Sequence, residues 1–170
     1  MNKKMKSFPL QCFLMVILAS CTLMDHTPMV PIPSATGSTQ DDPSILSDEK
    51  LSEEFKNLRD VKGQFDGSPW NDEVDRWMGR KHRLMLELEE RIRRGNLDKA
   101  QVIQWMGLPD QTISPDDILF QELLGSTPAP GKENGTVELL IYYWRSNHDF
   151  LYLVCENDQV THSGWFYAGE

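Results

Sequence analysis

VELLIYYWR (residues 137–145), HDFLYLVCE (148–156) and VTHSGWFY (160–167) are three β-prone runs whose reading decides the fold. Their β-branched and aromatic content suits a pleated, packed surface. The breaks between them, Ser146-Asn147 and Asn157-Asp158, suit tight hairpins, the second above all because Asn and Asp tolerate positive φ. The expectation is a three-stranded antiparallel meander. Closed through two-residue turns, its strands send Leu139, Ile141, Tyr143, Phe150, Tyr152, Val154 and Trp165 to one face. Leu140, Tyr142, Trp144, Leu151, Leu153, Cys155, Val160 and Phe166 go to the other. A sheet with one wet face alternates apolar and polar. This one is apolar on both sides, so each needs a cover.

The chain upstream supplies helices. One is expected to start at Asn71 or Asp72, with Asp72, Glu73 and Asp75 at its positive end and Trp77, Leu84, Leu88 and Ile92 along one stripe. Arg91, Arg93 and Arg94 sit at the other end, and Gly95 stops it. A second helix is capped by Asp98, with Gln101 three residues on and a Leu97–Val102 staple spacing. It ends at Gly107-Leu108-Pro109, glycine taking the left-handed position. Ser114-Pro115-Asp116-Asp117 predicts one more helix start, followed by Ile118, Leu119, Leu123 and Leu124. Further upstream, Ser47 caps a short segment through about Asp60, with Leu51, Phe55 and Leu58 on one side. The fold class is therefore α+β: two helices packed on a three-stranded antiparallel meander (α-α-β-β-β), with an extra short helix before the sheet. The helix pair covers one sheet face. The other is covered by residues 118–124 or the helix near Phe55, or it is an open partner surface.

The start of the chain carries an address. Lys3, Lys4 and Lys6 precede the apolar run Phe8 to Leu18, about 11 residues. As a helix that run rises ~17 Å, too little for a ~30 Å hydrocarbon core. It closes on Leu18-Ala19-Ser20-Cys21, which resembles the lipobox of bacterial lipoproteins. The resemblance implies cleavage before Cys21 and its acylation with a diacylglyceryl group and an N-acyl chain, enough for stable anchoring. Thr22 gives no Asp-type inner-membrane retention signal. The expectation is a protein at the periplasmic face of the outer membrane. Residues 1–20 are then a signal peptide, 21–70 a Pro-rich tether with a possible short helix, and 71–170 the folded domain.

The chain has 17 basic and 26 acidic residues, a formal charge of −9. Without residues 1–20, which hold three Lys and no acid, 14 basic residues face 26 acidic ones and the charge is −12. Such a surface repels nucleic-acid phosphates and anionic headgroups, so no nucleic-acid partner is expected and membrane contact runs through the lipid.

The second-helix signature Leu97-Asp98-Lys99-Ala100-Gln101-Val102, its exit Met106-Gly107-Leu108-Pro109-Asp110 and the meander resemble the SmpA/OmlA (BamE-like) family of small outer-membrane lipoproteins over roughly residues 72–167. The resemblance implies an α-α-β-β-β fold and a non-catalytic accessory that binds another envelope protein in outer-membrane assembly or integrity. Inhibitory proteins of β-lactamases share a similar fold, so a periplasmic inhibitor or ligand-binding module is the alternative. The chain departs from the family between Ser114 and Gly125, where it is longer, and in its aromatic ending from Ser163 to Glu170. No functional residue is carried over.

Catalytic chemistry finds little footing. Cys155 and His148 are seven residues apart on one run, ~23 Å at ~3.3 Å per residue and on opposite faces. His82 lies among Arg80, Lys81 and Arg83, which reads as a solvated helix face, and His162 is expected opposite Leu153. The acids Asp72, Glu73 and Asp75 lack a calcium-loop pattern and read as helix capping. No catalytic residue, metal ligand or cofactor is expected. The partner-binding candidates are Tyr142, Trp144, Arg145, Asp149 and Trp165, with Trp144, Arg145 and Asp149 as an exposed recognition tip at the first hairpin. Cys155, if Cys12 leaves and Cys21 is acylated, is a lone buried thiol.

Overall fold

The computed structural model describes residues 42–125 and 135–169, which belong to one compact unit. The lipobox with Cys21, most of the Pro-rich stretch and residues 126–134 lie outside the described residues. The elements run α1 (Asp48–Arg59), α2 (Arg80–Gly95), α3 (Lys99–Met106), β1 (Gln111–Ile113), α4 (Ile118–Leu124), β2 (Val137–Arg145), β3 (Asp149–Glu156) and β4 (Gln159–Tyr167). The class is α+β, with a four-stranded antiparallel sheet in the order β1-β2-β3-β4 rather than three strands. The added strand arises because the exit from α3 runs back along β2, where Gln111 meets Ile141 and Ile113 meets Leu139. No described helix is long and apolar enough to cross a membrane.

Local signals explain several boundaries. Ser47 caps α1 by accepting from the Lys50 N–H, and Asp98 caps α3 in a reciprocal box with Gln101. Other starts differ from expectation. Helix α2 begins after Gly79, not at Asn71 or Asp72, because Asp75 is buried and its carboxylate accepts the Gln64 and Asn71 N–H groups at 2.9 and 2.7 Å. That bond pattern folds residues 63–75 into a loop, and Met78 breaks the chain at φ +58. Asn96, not Gly95, takes the left-handed position at the end of α2. Gly107 has positive φ but an extended ψ of −178°. Asp117 rather than Ser114 caps α4, through the Leu119 N–H.

The core lies on both sides of the sheet. On one, Leu51 and Phe55 of α1, Leu84, Met85, Leu88 and Ile92 of α2, and Val102 and Met106 of α3 pack on Leu140, Tyr142, Trp144, Leu151, Leu153 and Cys155. Each large apolar side chain fully buried there contributes ~1.5–3 kcal/mol. On the other, Phe120 with Leu119, Leu123 and Leu124 of α4 joins Ile113 over Leu139, Ile141, Phe150 and Val154. The second face is therefore covered by α4, while Phe55 belongs to the first. Ile118, expected on α4's apolar side, is 74% exposed.

The register corrects two assignments. The Asn157-Asp158 turn closes as expected, both residues at positive φ, with Glu156 opposite Gln159. The pairing then slips between Val154 and Cys155, and Thr161 becomes an extra residue on β4. Beyond it every side chain changes face. Trp165 pairs with Leu151 and joins the helix side, while Phe166 pairs with Phe150 and joins the α4 side, opposite to the expected arrangement. By the same slip His162 meets Val154, and Ser163 meets Leu153.

Candidate functional site

The first hairpin was the expected recognition tip, and its residues are mostly interior. Trp144 is 1% exposed and Tyr142 fully buried. Arg145 and Asp149 are buried too. Ser146 turns the chain at φ +51, and the pairing slips so that Arg145 lies opposite Asp149. The exposed reading of Trp144, Arg145 and Asp149 is thus corrected: the loop 60–79 folds over them.

Arg145 is the hinge of that fold-over. Its Nε–H donates to the Asp75 carbonyl at 2.7 Å, and its Nη1 meets Asp149 Oδ2 at 3.3 Å. Its guanidinium lies over the Trp144 ring at 4.2 Å and the Phe65 ring at 4.9 Å. Asp149 Oδ1 accepts the Ala168 N–H at 3.1 Å. One buried ion pair therefore ties the loop, both central strands and the end of β4 together. Breaking it by removing one partner would leave a charge uncompensated, a cost of ~3–5 kcal/mol. His148 lies beside Asp149, 3.5 Å from Nδ1 to Oδ1, and against the Phe65 ring.

Tyr142 has an equally structural setting. Its hydroxyl donates to the Gly107 carbonyl at 3.0 Å, and Arg59 lies over its ring. Arg59 also donates to the Met106 carbonyl and pairs with Asp110, whose other oxygen accepts the Tyr143 N–H. Trp165 is part-buried and donates its indole N–H to Glu89 at 2.7 Å.

His82 was expected on a solvated helix face and is 1% exposed. Residues 71–79 do not continue the helix but wrap it, so the face carrying His82 turns inward. Its Nδ1 accepts the Met78 N–H at 3.2 Å, and its ring is surrounded by Trp77, Trp144 and Trp165. Burial, with Arg145 nearby and Asp149 opposing weakly, pushes its pKa down to about 4. It is neutral at neutral pH.

Trp77 and Tyr167 pair in an accessible position at this end of the sheet. Trp77 is 55% and Tyr167 42% exposed, their ring centres 5.3 Å apart and edge to face. Together with Arg145, Asp149 and Gly169 they line a cleft of about 280 Å³. The sequence hinted at Tyr167 through the aromatic ending. Trp77 carried no such signal, since it fitted the helical stripe of Leu84, Leu88 and Ile92, which begins only after Gly79. Cys155 is buried, and burial with Glu138 nearby raises its thiol to about 11. Asp72 pairs with Arg76 and accepts from the Trp70 indole, so the acidic run orders the loop instead of capping α2. Among the described residues no group of three or more His, Cys, Asp or Glu is placed to hold a metal.

Compared with known protein families, curated proteins and solved structures, the chain matches none.

Proposed function

We propose that this chain is a non-catalytic, membrane-anchored envelope lipoprotein whose α+β domain binds another envelope protein, as an accessory in outer-membrane assembly or integrity. The observation that carries the binding reading is the half-exposed pair Trp77 and Tyr167 beside the buried Arg145–Asp149 pair. Large aromatic rings on a rigid support are favoured contact residues, because little conformational entropy is lost when a partner covers them. His82 is enclosed by rings and Cys155 lies in the core, so both serve packing. The anchor rests on Lys3, Lys4, Lys6, the apolar run and Leu18-Ala19-Ser20-Cys21. In this reading lipid holds the domain near its partner and raises the local concentration.

The test is photocrosslinking from residue 77 in intact cells, with mass spectrometry of Cys21 in the mature protein. One stoichiometric envelope partner and an acylated Cys21 support the reading. An unmodified Cys21 removes the anchor. A partner bound equally well by the chain without membranes supports an inhibitor or ligand-binding module instead.

A further inference from the structure

We propose that the outer edge of β4 is a docking strand, taking an extended segment of a partner protein that is aromatic at its N-terminal end and basic at its C-terminal end. This rests on the binding reading above and names what the domain binds.

β4 spans Gln159–Tyr167 and contains no Pro, Lys, Arg, Asp or Glu. Long sheet edges are ordinarily guarded by such residues or covered, because their unpaired N–H and C=O groups template another strand. The opposite edge, β1, is three residues long. The first part of the β4 edge is occupied by the protein itself: Val160 donates to the Leu97 carbonyl at 3.2 Å, and Lys99 to the Asp158 carbonyl at 2.8 Å. Past Thr161 no described residue bonds to its outer side.

The ladder says which groups are left. Asp110 donates to the Ile141 carbonyl on the β1 side, so Leu140 and Tyr142 face β3. Leu151 and Leu153 then face β2, Phe150 and Tyr152 face β4, and their partners Phe166 and Gly164 turn inward. Ser163, Trp165 and Tyr167 turn their backbone groups outward.

A cleft lies at each end of this row. At the start is one of about 470 Å³ lined by Asp98, Lys99, Ala100, Ile103, Asp158 and Gln159. Lys99 is already bonded to Glu138, so Asp98 and Asp158 leave this end acidic. At the finish is the cleft walled by Trp77 and Tyr167. Six residue steps from Thr161 to Tyr167 cover ~20 Å. One extended segment reaches both. Antiparallel addition, the more stable ladder, sets its N-terminal end at the aromatic cleft and its C-terminal end at the carboxylates. A second copy is the poorer occupant. Antiparallel pairing of β4 with itself would set each aromatic end on an acidic end and bring together two chains of formal charge −9.

The experiment uses the full chain and the peptide acetyl-Trp-Thr-Val-Thr-Val-Thr-Val-Lys-amide, with its end-reversed counterpart acetyl-Lys-Thr-Val-Thr-Val-Thr-Val-Trp-amide. Saturable binding of the first is expected, with amide exchange at Ser163, Trp165 and Tyr167 slowed by about tenfold or more. The reversed peptide binds about tenfold more weakly, and Asp158→Asn narrows that difference. Ligation of a synthetic peptide beginning at Cys155 allows N-methylation of Trp165, which removes an outward donor and no side chain; it abolishes binding while the circular dichroism spectrum is kept. Absence of binding at millimolar peptide, binding without protection of those amides, or a dimer that protects them without peptide each overturns the proposal. A partner crosslinked through residue 77 while these amides exchange freely sinks the docking strand and leaves the binding reading standing.

Discussion

The His82 imidazole lies flat on the Trp144 indole, ring centres 4.1 Å apart and planes within 10°. Trp77 packs against both rings, at 4.6 Å from His82 and 5.7 Å from Trp144. Inner and outer members of this stack should therefore respond differently to truncation. Trp144→Ala is expected to cost about 3–5 kcal/mol, as for other buried aromatic deletions. Trp77→Ala, with half its ring in water, should cost clearly less and weaken partner binding instead. Urea unfolding of the two variants checks this; equal losses would mean that Trp77 is core.

Acid should loosen the same stack. The His82 pKa falls from an ordinary 6.5 to about 4 on folding, so between these values the unfolded chain binds a proton that the folded chain does not. Stability is full above about pH 6.5, falls as pH drops through the window, and stops falling from this source below about 4. The total is on the order of 3 kcal/mol. Arg145 near the ring enlarges the effect and Asp149 reduces it. His82→Phe keeps a flat ring without a titrating group. Its stability measured from pH 7 to pH 4 should decline by that much less than the parent's.

The Cys155 thiol should be inert in the native state. It is buried, and a pKa near 11 leaves little thiolate at pH 8. Alkylation followed by peptide mass spectrometry should find Cys155 slowly modified in buffer and rapidly modified in denaturant. Fast native modification would show that β3 is open.

Glu89 should matter more than its neighbour Glu90. Its two oxygens accept from Ser163 Oγ and Trp165 Nε1, each at 2.7 Å, fastening α2 to β4. Glu90 pairs with Arg93 and Arg94 in solvent. Glu89→Ala leaves the Trp165 indole N–H and the Ser163 hydroxyl without their acceptor and should cost about 1.5–3 kcal/mol. Glu90→Ala, at an ion pair open to solvent, should cost clearly less. Thermal unfolding of the pair decides the ranking.

Local chemistry made much of this fold legible. The caps at Ser47 and Asp98, the turn at Asn157-Asp158 and the two apolar sheet faces follow from residue type and period alone, because each signal is complete within a few residues. The pieces that escaped depend on distant partners. Asp75 looked like a helix-start acid until its carboxylate met the Gln64 N–H, 11 residues away. One bulge at Thr161 exchanged the faces of Trp165 and Phe166, and sequence alternation cannot register an extra residue. Trp144, Arg145 and Asp149 cluster in the interior and not at an exposed tip, and nothing in their own stretch announces a loop from residues 60–79 laid over them. By itself the sequence determined the α+β class, the helices and three of the four strands in outline, and that both sheet faces are apolar, which are short-range consequences of propensity and periodicity. Tertiary structure alone decided which aromatics reach solvent, because exposure depends on what the rest of the chain packs against each ring.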